Sequence, residues 1–227
     1  MKAMILAAGR GERMRPLTDS CPKPLLPVGG KPLIVWQIER LAAAGIVELV
    51  INHAHLGAQI EAALGDGSRY GVRIAYSPEQ EALETAGGIA QALPLLGMEP
   101  FLVVSADIYC ECDYRELLDA MRLDAGAQAF LWMVDNRPWH PAGDFALRDG
   151  RLHLDGEAAQ RLTYSNFGVF RPEFFAGIVP GTRLALRPLF DAAIPAGRVQ
   201  AARLDAMWDN LGTPAQLAEL DALLRSR

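Results

Sequence analysis

The sequence contains few cysteines, no long apolar run and no overall excess of basic residues. Its three cysteines, Cys21, Cys110 and Cys112, include no C-x-x-C pair, and no histidine lies at metal-ligand spacing from them. This argues against a disulfide scaffold and favours reduced thiols in the cytoplasm. No uncharged run approaches the ~18 residues of a membrane helix, and the apolar stretch near the N-terminus is too short for a secretory signal. We therefore expect a cytoplasmic protein that has no membrane partner.

The composition is that of an ordinary globular protein. Of the 227 residues, 51% are hydrophobic and 22% are charged, and the formal net charge is −5. This acidic total argues against broad nucleic-acid binding. The charge is uneven, however, because residues 1–31 contain six Lys or Arg against two Asp or Glu, a net charge of +4. The imbalance predicts a binding site for a small anion near the N-terminus.

The order of apolar runs and helical segments indicates an α/β protein. In the first half, strand-like runs alternate with segments of helical periodicity, the signature of β–α–β units and a mainly parallel sheet. From about residue 127, strand-like pieces follow one another directly, which predicts hairpins on one side of that sheet. No linker or repeat divides the chain, so we expect one domain over residues 1–227. The predicted strands are 2–7, 46–51, 72–76, 101–106, 128–134, 144–148, 151–154 and 164–170, and the predicted helices lie between 32 and 45 and near 56–64, 86–93, 114–123, 186–195 and 214–225.

A loop rich in glycine and arginine follows the first predicted strand. Gly9, Gly11 and Arg13 form a G-x-G-x-R pattern, Arg15 fits the same loop, and Lys23 stands between two prolines further on. Glycines allow backbone N–H groups to approach a phosphate, and guanidiniums can bind its oxygens in pairs. The loop lacks the third glycine of a dinucleotide fingerprint and the G-K-[ST] of a P-loop. A solvated connection and a rigid turn that carries a solvated lysine remain alternatives.

Asp107 directly follows the apolar run 101–106, at the carboxyl end of a predicted central strand. In open α/β sheets ligands bind at this edge, and carboxylate oxygens beside phosphates recruit Mg²⁺. The same position also suits an ordinary turn or helix-cap residue. Beside an anion-binding loop, the magnesium role is the favoured interpretation.

By combining G-x-G-x-R with P-K-P, the loop resembles that of the sugar-1-phosphate nucleotidyltransferases. The resemblance implies a Rossmann-like nucleotidyltransferase fold, in which a mixed, mainly parallel central sheet is flanked by helices and carries a small, partly antiparallel sugar-binding portion. The half up to residue 125 would mainly bind the nucleotide, and the half from 126 mainly the sugar. It further implies that Gly9 and Gly11 cradle a nucleoside triphosphate. The resemblance also implies that Arg13 holds the β- and γ-phosphates, and that Lys23 contacts the α-phosphate or the sugar phosphate.

The family resemblance assigns Mg²⁺ to Asp107 and implies a second ligand. Related enzymes generally carry an aspartate two residues before a Gly-Thr pair, matched here by Gly212 and Thr213, and this sequence has Asn210 there. An amide oxygen can ligate Mg²⁺, whereas Asp209, one place earlier, would face the other way on an extended segment. We therefore predict Asn210 as the ligand, and a turn-capping role for it remains the alternative.

Further stretches resemble one branch of the family, the N-acetylmuramate-1-phosphate uridylyltransferases of cell-wall recycling. By this resemblance, UTP is the favoured nucleotide, and Ala8 and Gly88 contact the base through backbone groups. Asp144 and Asn166 are the candidates for contacts to sugar hydroxyls or amides, with turn roles as the alternative. Mannose-1-phosphate guanylyltransferases share much of the pattern, so the base preference rests on resemblance. The stretches are residues 50–57, 65–71, 76–79, 83–88, 134–136 and 140–145.

The implied reaction is attack by a sugar 1-phosphate on the α-phosphorus of UTP, with release of pyrophosphate. Two departures from the pattern of this branch concern the specificity for the sugar. Ser105-Ala106 stands where Asn-Gly commonly precedes the magnesium aspartate, and Asn166-Phe167 replaces a glycine-containing pair. Three rival hypotheses remain: a guanylyltransferase, another hexose-1-phosphate uridylyltransferase, and a non-catalytic regulatory protein that binds nucleotide sugars. The sequence does not predict the oligomeric state.

Overall fold

A computed structural model of the protein describes residues 1–157 and 160–227. The strands are β1 Ala3–Leu6, β2 Pro27–Val28, β3 Lys31–Pro32, β4 Glu48–His53, β5 Arg73–Pro78, β6 Phe101–Ser105, β7 Ile108–Cys110, β8 Ala129–Val134, β9 Phe145–Arg148, β10 Arg151–His153, β11 Arg161–Phe170, β12 Val199–Arg203 and β13 Trp208–Asn210. The helices are α1 Leu33–Ala43, α2 Gly57–Leu64, α3 Glu84–Leu96, α4 Tyr114–Ala120, α5 Arg187–Ala193 and α6 Pro214–Arg225. Within these described ranges, no helix has the length and apolar character needed to cross a membrane.

The longest strands form one mixed sheet in the order β5-β4-β1-β6-β11-β8-β12-β10-β9. β5, β4, β1 and β6 are parallel to one another, β11 runs antiparallel between β6 and β8, and β12 is parallel to β8. β6, with the sequence FLVVS, is apolar up to its final serine because helices cover both faces of the sheet. The predicted α/β class with a mixed central sheet is confirmed.

The strands of the second half of the chain extend this sheet. The sequence analysis predicted them as hairpins on one side of it. β9 and β10 form such a hairpin at the edge, but β8 and β11 lie inside the sheet. The sequence analysis also missed β12, because its VQAAR sequence carries a single β-branched residue and too little alternation. Parallel pairing with β8 buries Val199 and Ala201, and this tertiary contact outweighs the weak local preference.

Alternate residues of β1 belong to cores on opposite faces of the sheet. Ile5 lies in a buried cluster with Ile38 of α1, whereas Met4 lies in a second cluster with Ile89 of α3. All four side chains are fully buried, and each such side chain stabilises the fold by roughly 1.5–3 kcal/mol. With both faces covered, the ends of the strands are where the sheet can meet a ligand.

The parallel strands end at the same edge of the sheet because they are paired in register. Leu6 at the end of β1 lies between Asn52 of β4 and Ser105 of β6. Beside this edge, β7 and β13 form a short antiparallel ladder in which Asn210 is opposite Ile108. The fold therefore brings together the N-terminal loop, the end of β6 and the segment before α6, which are far apart in the sequence.

Candidate active site

A cavity of about 270 Å³ opens at the carboxyl ends of β1, β4 and β6. About half of its lining residues have short side chains, and we call it the β1 cavity. Of the residues predicted to bind nucleotide, Ala8, Gly9 and Lys23 lie in this wall, together with Asp107. The residues lining the β1 cavity are Leu6, Ala7, Ala8, Gly9, Lys23, Pro24, Asn52, Ala82, Glu84, Thr85, Ser105, Ala106 and Asp107.

The two glycines of the N-terminal loop have different local roles. A β-carbon added to Gly9 would meet no atom within 4 Å, so its backbone is open to a ligand. Gly11 adopts φ +69°, and an added β-carbon would lie 3.0 Å from Thr18 Cγ2 and 3.3 Å from Lys23 Cβ. Gly11 is therefore needed to let the loop turn tightly against Lys23. Its direct contact with phosphate stays a prediction.

Arg10 and Arg15, two of the three arginines of the loop, are bound by nearby carboxylates. Arg15 Nε donates to Asp19 Oδ1 at 2.8 Å, and Arg10 donates to the same oxygen at 3.4 Å. The hydrogen bond from Arg15 is the main reason why the pKa of Asp19 is lowered. Glu12 lies 3.5 Å from Arg15. Part of the positive charge predicted to bind an anion is thus compensated within the loop.

Arg13 differs from its neighbours, because no carboxylate of the described residues pairs with it. Its guanidinium lies over Gly212, whose added β-carbon would be only 2.9 Å from Nη2. Arg13 also lines a separate cavity of about 200 Å³, which we call the Arg13 cavity, together with Trp139, Asn210, Thr213 and Gln216. The structure therefore presents Arg13 as a free cation beside the segment that precedes α6.

Lys23 and Asp107 meet in the wall of the β1 cavity. Lys23 Nζ lies 2.5 Å from Asp107 Oδ2, and the lysine side chain is only 10% exposed. Pro22 and Pro24 on either side are buried, which fixes the backbone that carries the lysine. The predicted phosphate ligand and the predicted magnesium ligand are therefore neighbours.

Asn210, the predicted second magnesium ligand, pairs in β13 with Ile108, the residue after Asp107. The Leu211 N–H donates to the Asp107 carbonyl at 2.9 Å, which holds the two segments together. The Oδ1 atom of Asn210 is buried and has no hydrogen-bond partner within the described chain. Asp209 uses its carboxylate to accept the N–H of Asn210 at 2.8 Å. An orphaned amide oxygen on a segment that is hydrogen-bonded to the backbone of Asp107 fits Mg²⁺, which takes few protein ligands and completes its shell with phosphate and water.

A buried polar network, which the sequence analysis missed, fixes the floor of the β1 cavity. Asn52 Oδ1 accepts the N–H of Ala7 at 2.9 Å, and Asn52 Nδ2 donates to Glu79 Oε1 at 2.7 Å. Glu79 Oε2 accepts the N–H of Leu83 at 2.8 Å. Both side chains are buried, at 2% and 5% exposure. The network links the loop after β1 to the start of α3. In the sequence, its only sign is the polar Asn52 after the apolar residues of β4.

Gly88 lies behind this network and does not line the β1 cavity. An added β-carbon would be 2.6 Å from Glu79 Oε1 and 2.8 Å from Asn52 Nδ2. Glycine at this position lets α3 approach the network closely. Of the two residues predicted to contact the base, Ala8 lies in the cavity wall and Gly88 does not, and both contacts stay predictions.

A second cavity of about 290 Å³ lies beside the β1 cavity and shares Thr85 with it. Large aromatic side chains dominate its wall, and we call it the aromatic cavity. It shares Trp139 and Asn210 with the Arg13 cavity, so the aromatic cavity adjoins both of the others. The residues lining the aromatic cavity are Thr85, Trp139, His140, Asp144, Phe145, Thr163, Tyr164, Asn166, Leu186, Arg187, Phe190, Trp208 and Asn210.

The two predicted sugar ligands, Asp144 and Asn166, both line the aromatic cavity. The Asp144 carboxylate accepts the N–H of Tyr164 at 2.8 Å and lies 3.2 Å from His140 Nε2. Asn166 has φ +58°, at a point where the pairing of β11 with β8 is irregular between Tyr164 and Gly168. A β-bulge at an active site re-aims a side chain, and asparagine tolerates this backbone better than most residues. Their contacts with sugar stay a prediction.

The chain belongs to the nucleotidyl transferase family, whose profile matches residues 2–145. It is 53% identical over 226 residues to the N-acetylmuramate alpha-1-phosphate uridylyltransferase of Neisseria meningitidis serogroup B, covering 98% of each chain. It is 40% identical over 120 residues to the mannose-1-phosphate guanylyltransferase of Mycobacterium tuberculosis, which covers 53% of this chain and 33% of that relative.

A solved structure from Bacillus anthracis, described as a glucose-1-phosphate thymidylyltransferase in complex with sucrose, has the same fold. It superposes with a TM-score of 0.87 at 21% identity, covering 100% of this chain and 96% of that one. The predicted family, its enzyme class and its fold are therefore confirmed: this chain is a sugar-1-phosphate nucleotidyltransferase.

Proposed function

We propose that this protein makes UDP-N-acetylmuramate and pyrophosphate from UTP and N-acetylmuramate 1-phosphate, with Mg²⁺, in the cytoplasm during peptidoglycan recycling. One observation carries the proposal: the 53% identity to the Neisseria uridylyltransferase spans 98% of both chains. The similarity to the mannose-1-phosphate guanylyltransferase covers about half of this chain. The adjoining cavities support the proposal, because a nucleotide and a sugar must bind side by side for the reaction.

Charge repulsion is the main obstacle to this reaction, because both substrates are polyanions. Two unit charges about 4 Å apart repel by roughly 4 kcal/mol at an effective dielectric constant of 20. Lys23, held 2.5 Å from Asp107, supplies one cation at the β1 cavity, and the unpaired Arg13 supplies a second. These two side chains align the phosphates and stabilise the charge that develops on the leaving pyrophosphate. No side-chain nucleophile is needed, since the attacking oxygen belongs to the sugar phosphate.

Asp107 and Asn210 are the residues that would hold Mg²⁺. The ion would neutralise phosphate charge and help to fix the geometry of the substrates. Before the substrates bind, the ion pair with Lys23 keeps the Asp107 carboxylate in place at the end of β6. The backbone hydrogen bond from the Leu211 N–H to the Asp107 carbonyl likewise keeps the segment that carries Asn210 in place.

The roles of the two larger cavities follow from their walls. The β1 cavity offers backbone groups and short side chains, which suit the edge of a flat base. The aromatic cavity offers ring faces with a few polar groups, which suit a sugar ring. Thr85 stands where the two meet, and the phosphates would therefore lie between Thr85, Lys23 and Asp107.

The proposal is tested by measuring pyrophosphate release for every combination of four nucleoside triphosphates with four sugar 1-phosphates. The sugars are N-acetylmuramate, N-acetylglucosamine, glucose and mannose, each assayed with MgCl₂ and again with excess EDTA. We expect the highest kcat/KM with UTP and N-acetylmuramate 1-phosphate, and no turnover in EDTA. Best turnover of GTP with mannose 1-phosphate would contradict the proposal. Absence of turnover in every combination would favour a regulatory binding protein.

A further inference from the structure

The aromatic cavity contains one permanently charged cation, Arg187, whose role the reaction scheme leaves open. Arg187 is the first residue of α5, and it is the only Lys or Arg among the described residues that line the cavity. Its Nε atom donates to Asp191 Oδ1 at 2.7 Å, one helical turn further on. Its guanidinium carbon lies 4.9 Å from the centre of the Phe145 ring. The side chain, which is 54% exposed, is therefore oriented by two contacts.

These contacts leave the terminal nitrogens of Arg187 available to a ligand. Only Nε is used by Asp191, and neither Nη1 nor Nη2 has a hydrogen-bond partner within the described chain. Phe145, on which the guanidinium rests, is 1% exposed and is itself part of the cavity wall. A guanidinium held in this way presents a pair of N–H donors whose spacing matches the two oxygens of a carboxylate.

The other charged groups of the cavity wall are already engaged. The Asp144 carboxylate accepts the N–H of Tyr164 at 2.8 Å and lies 3.2 Å from His140. Asp191, the partner of Arg187, is 44% exposed, so solvent screens its charge. Arg187 is consequently the group in this cavity that can attract and orient an anion other than the phosphates.

N-acetylmuramate carries such an anion. It differs from N-acetylglucosamine by a lactyl ether on its 3-hydroxyl, and that ether ends in a carboxylate. We propose that Arg187 binds this lactyl carboxylate and is the residue by which the enzyme prefers N-acetylmuramate 1-phosphate to N-acetylglucosamine 1-phosphate. The inference rests on the proposed function, because it presumes the muramic sugar as substrate. Hydrogen bonds to a charged group change affinity by roughly 10- to 100-fold.

The test compares both sugar 1-phosphates in wild-type enzyme and in the variants Arg187→Ala, Arg187→Gln and Arg187→Lys. Arg225→Ala is the matched control, because Arg225 Nε also donates at 2.7 Å to a carboxylate four residues away and lines no described cavity. Loss of Arg187 should lower kcat/KM for N-acetylmuramate 1-phosphate by about 10- to 100-fold. It should change kcat/KM for N-acetylglucosamine 1-phosphate and the KM for UTP less than about threefold, and lysine should restore part of the preference.

A binding measurement gives an independent result without turnover. Calorimetry should give Arg187→Gln a weakened affinity for UDP-N-acetylmuramate and an unchanged affinity for UDP-N-acetylglucosamine. An equal loss for both sugars, or no loss for either, would overturn the role of Arg187. If wild-type enzyme does not use N-acetylmuramate 1-phosphate at all, the proposed function itself fails. A wild-type preference that persists in all three variants leaves that function standing and refutes this inference alone.

Discussion

The β1 cavity and the aromatic cavity lie side by side but are built in different ways. The β1 cavity is walled by short side chains and backbone, with a buried polar network beneath it. The aromatic cavity is walled by Trp139, Tyr164, Phe190 and other large side chains. In the first, short residues such as alanine and glycine let a ligand come close to the main chain, whereas in the second large side chains form the surface.

This difference bears on how specificity can change within one fold. A wall of backbone groups is fixed by the strands that carry it, and few substitutions alter its shape without disturbing the sheet. A wall of large side chains from several strands and a helix changes with each substitution. We therefore expect the charged residues around the β1 cavity to determine the rate, and those of the aromatic cavity to determine the choice of sugar.

The largest effect should follow from removing either member of the Lys23–Asp107 pair. In Lys23→Ala and Asp107→Ala, turnover should fall by about 1000-fold or more, because both groups counter phosphate charge in the transition state. The folded state should persist, which far-UV circular dichroism would check. The control Lys31→Ala removes a lysine that pairs with Glu39, outside the cavities, and should keep its activity. Near-normal turnover in either purified cavity variant would refute the assignment.

A smaller effect should separate the arginines of the N-terminal loop. Arg13→Ala removes an unpaired cation and should lower kcat by about 100-fold. Arg15→Ala removes an arginine that is bound to Asp19 at 2.8 Å, and should lower it by less than about threefold. Steady-state kinetics with UTP measures both. Equal losses in the two variants would mean that Arg15 leaves Asp19 to bind phosphate.

Gly212→Ala tests the position of Arg13 without removing it. The new β-carbon would lie 2.9 Å from Arg13 Nη2, so the flexible guanidinium must move while the backbone stays. We expect kcat/KM for UTP to fall by roughly tenfold, the cost of a misplaced charge, with no change in the melting temperature. Gly126→Ala is the control, because an added β-carbon there meets no atom within 4 Å. An unchanged kcat/KM in Gly212→Ala would show that the observed placement of Arg13 is unimportant.

The smallest effect should be confined to the aromatic cavity. Asn166→Gly keeps the left-handed backbone, with φ +58°, and removes the amide. The KM for the sugar 1-phosphate should rise by about tenfold, while the KM for UTP should stay the same. The melting temperature should be equal or slightly higher, since glycine relieves the strain. A raised KM for UTP would contradict the division of roles between the two cavities.

The sequence predicted the fold well where local signals and tertiary structure agree. β1 and β6 are apolar runs inside a covered sheet, and α6 begins as predicted, with the Thr213 hydroxyl capping the N–H of Gln216. The sequence analysis missed strands that form only because they pair with a neighbouring strand, such as β12, which pairs with β8. Strands of two or three residues, such as β7 and β13, have no periodicity to detect.

For the candidate site, predictability followed the same division. The β1 cavity could be found because glycines, a lysine between prolines and an aspartate after a strand must stand at set positions. The buried Asn52 and Glu79 gave only a weak signal, since their partners are backbone groups of other segments. Arg187 and Trp139 gave none, because only the folded chain brings them to one cavity. The loop charge was also misleading in part, as Asp19 binds Arg10 and Arg15.

A crystal structure with UDP-N-acetylmuramate and Mg²⁺ would test the central claim most directly. We predict the uracil ring in the β1 cavity beside Ala8, and the sugar in the aromatic cavity beside Asn166. The phosphates should lie near Lys23, with the metal ion between Asp107 and Asn210. A uracil ring among the large side chains of the aromatic cavity, or a metal ion away from both predicted ligands, would contradict this account.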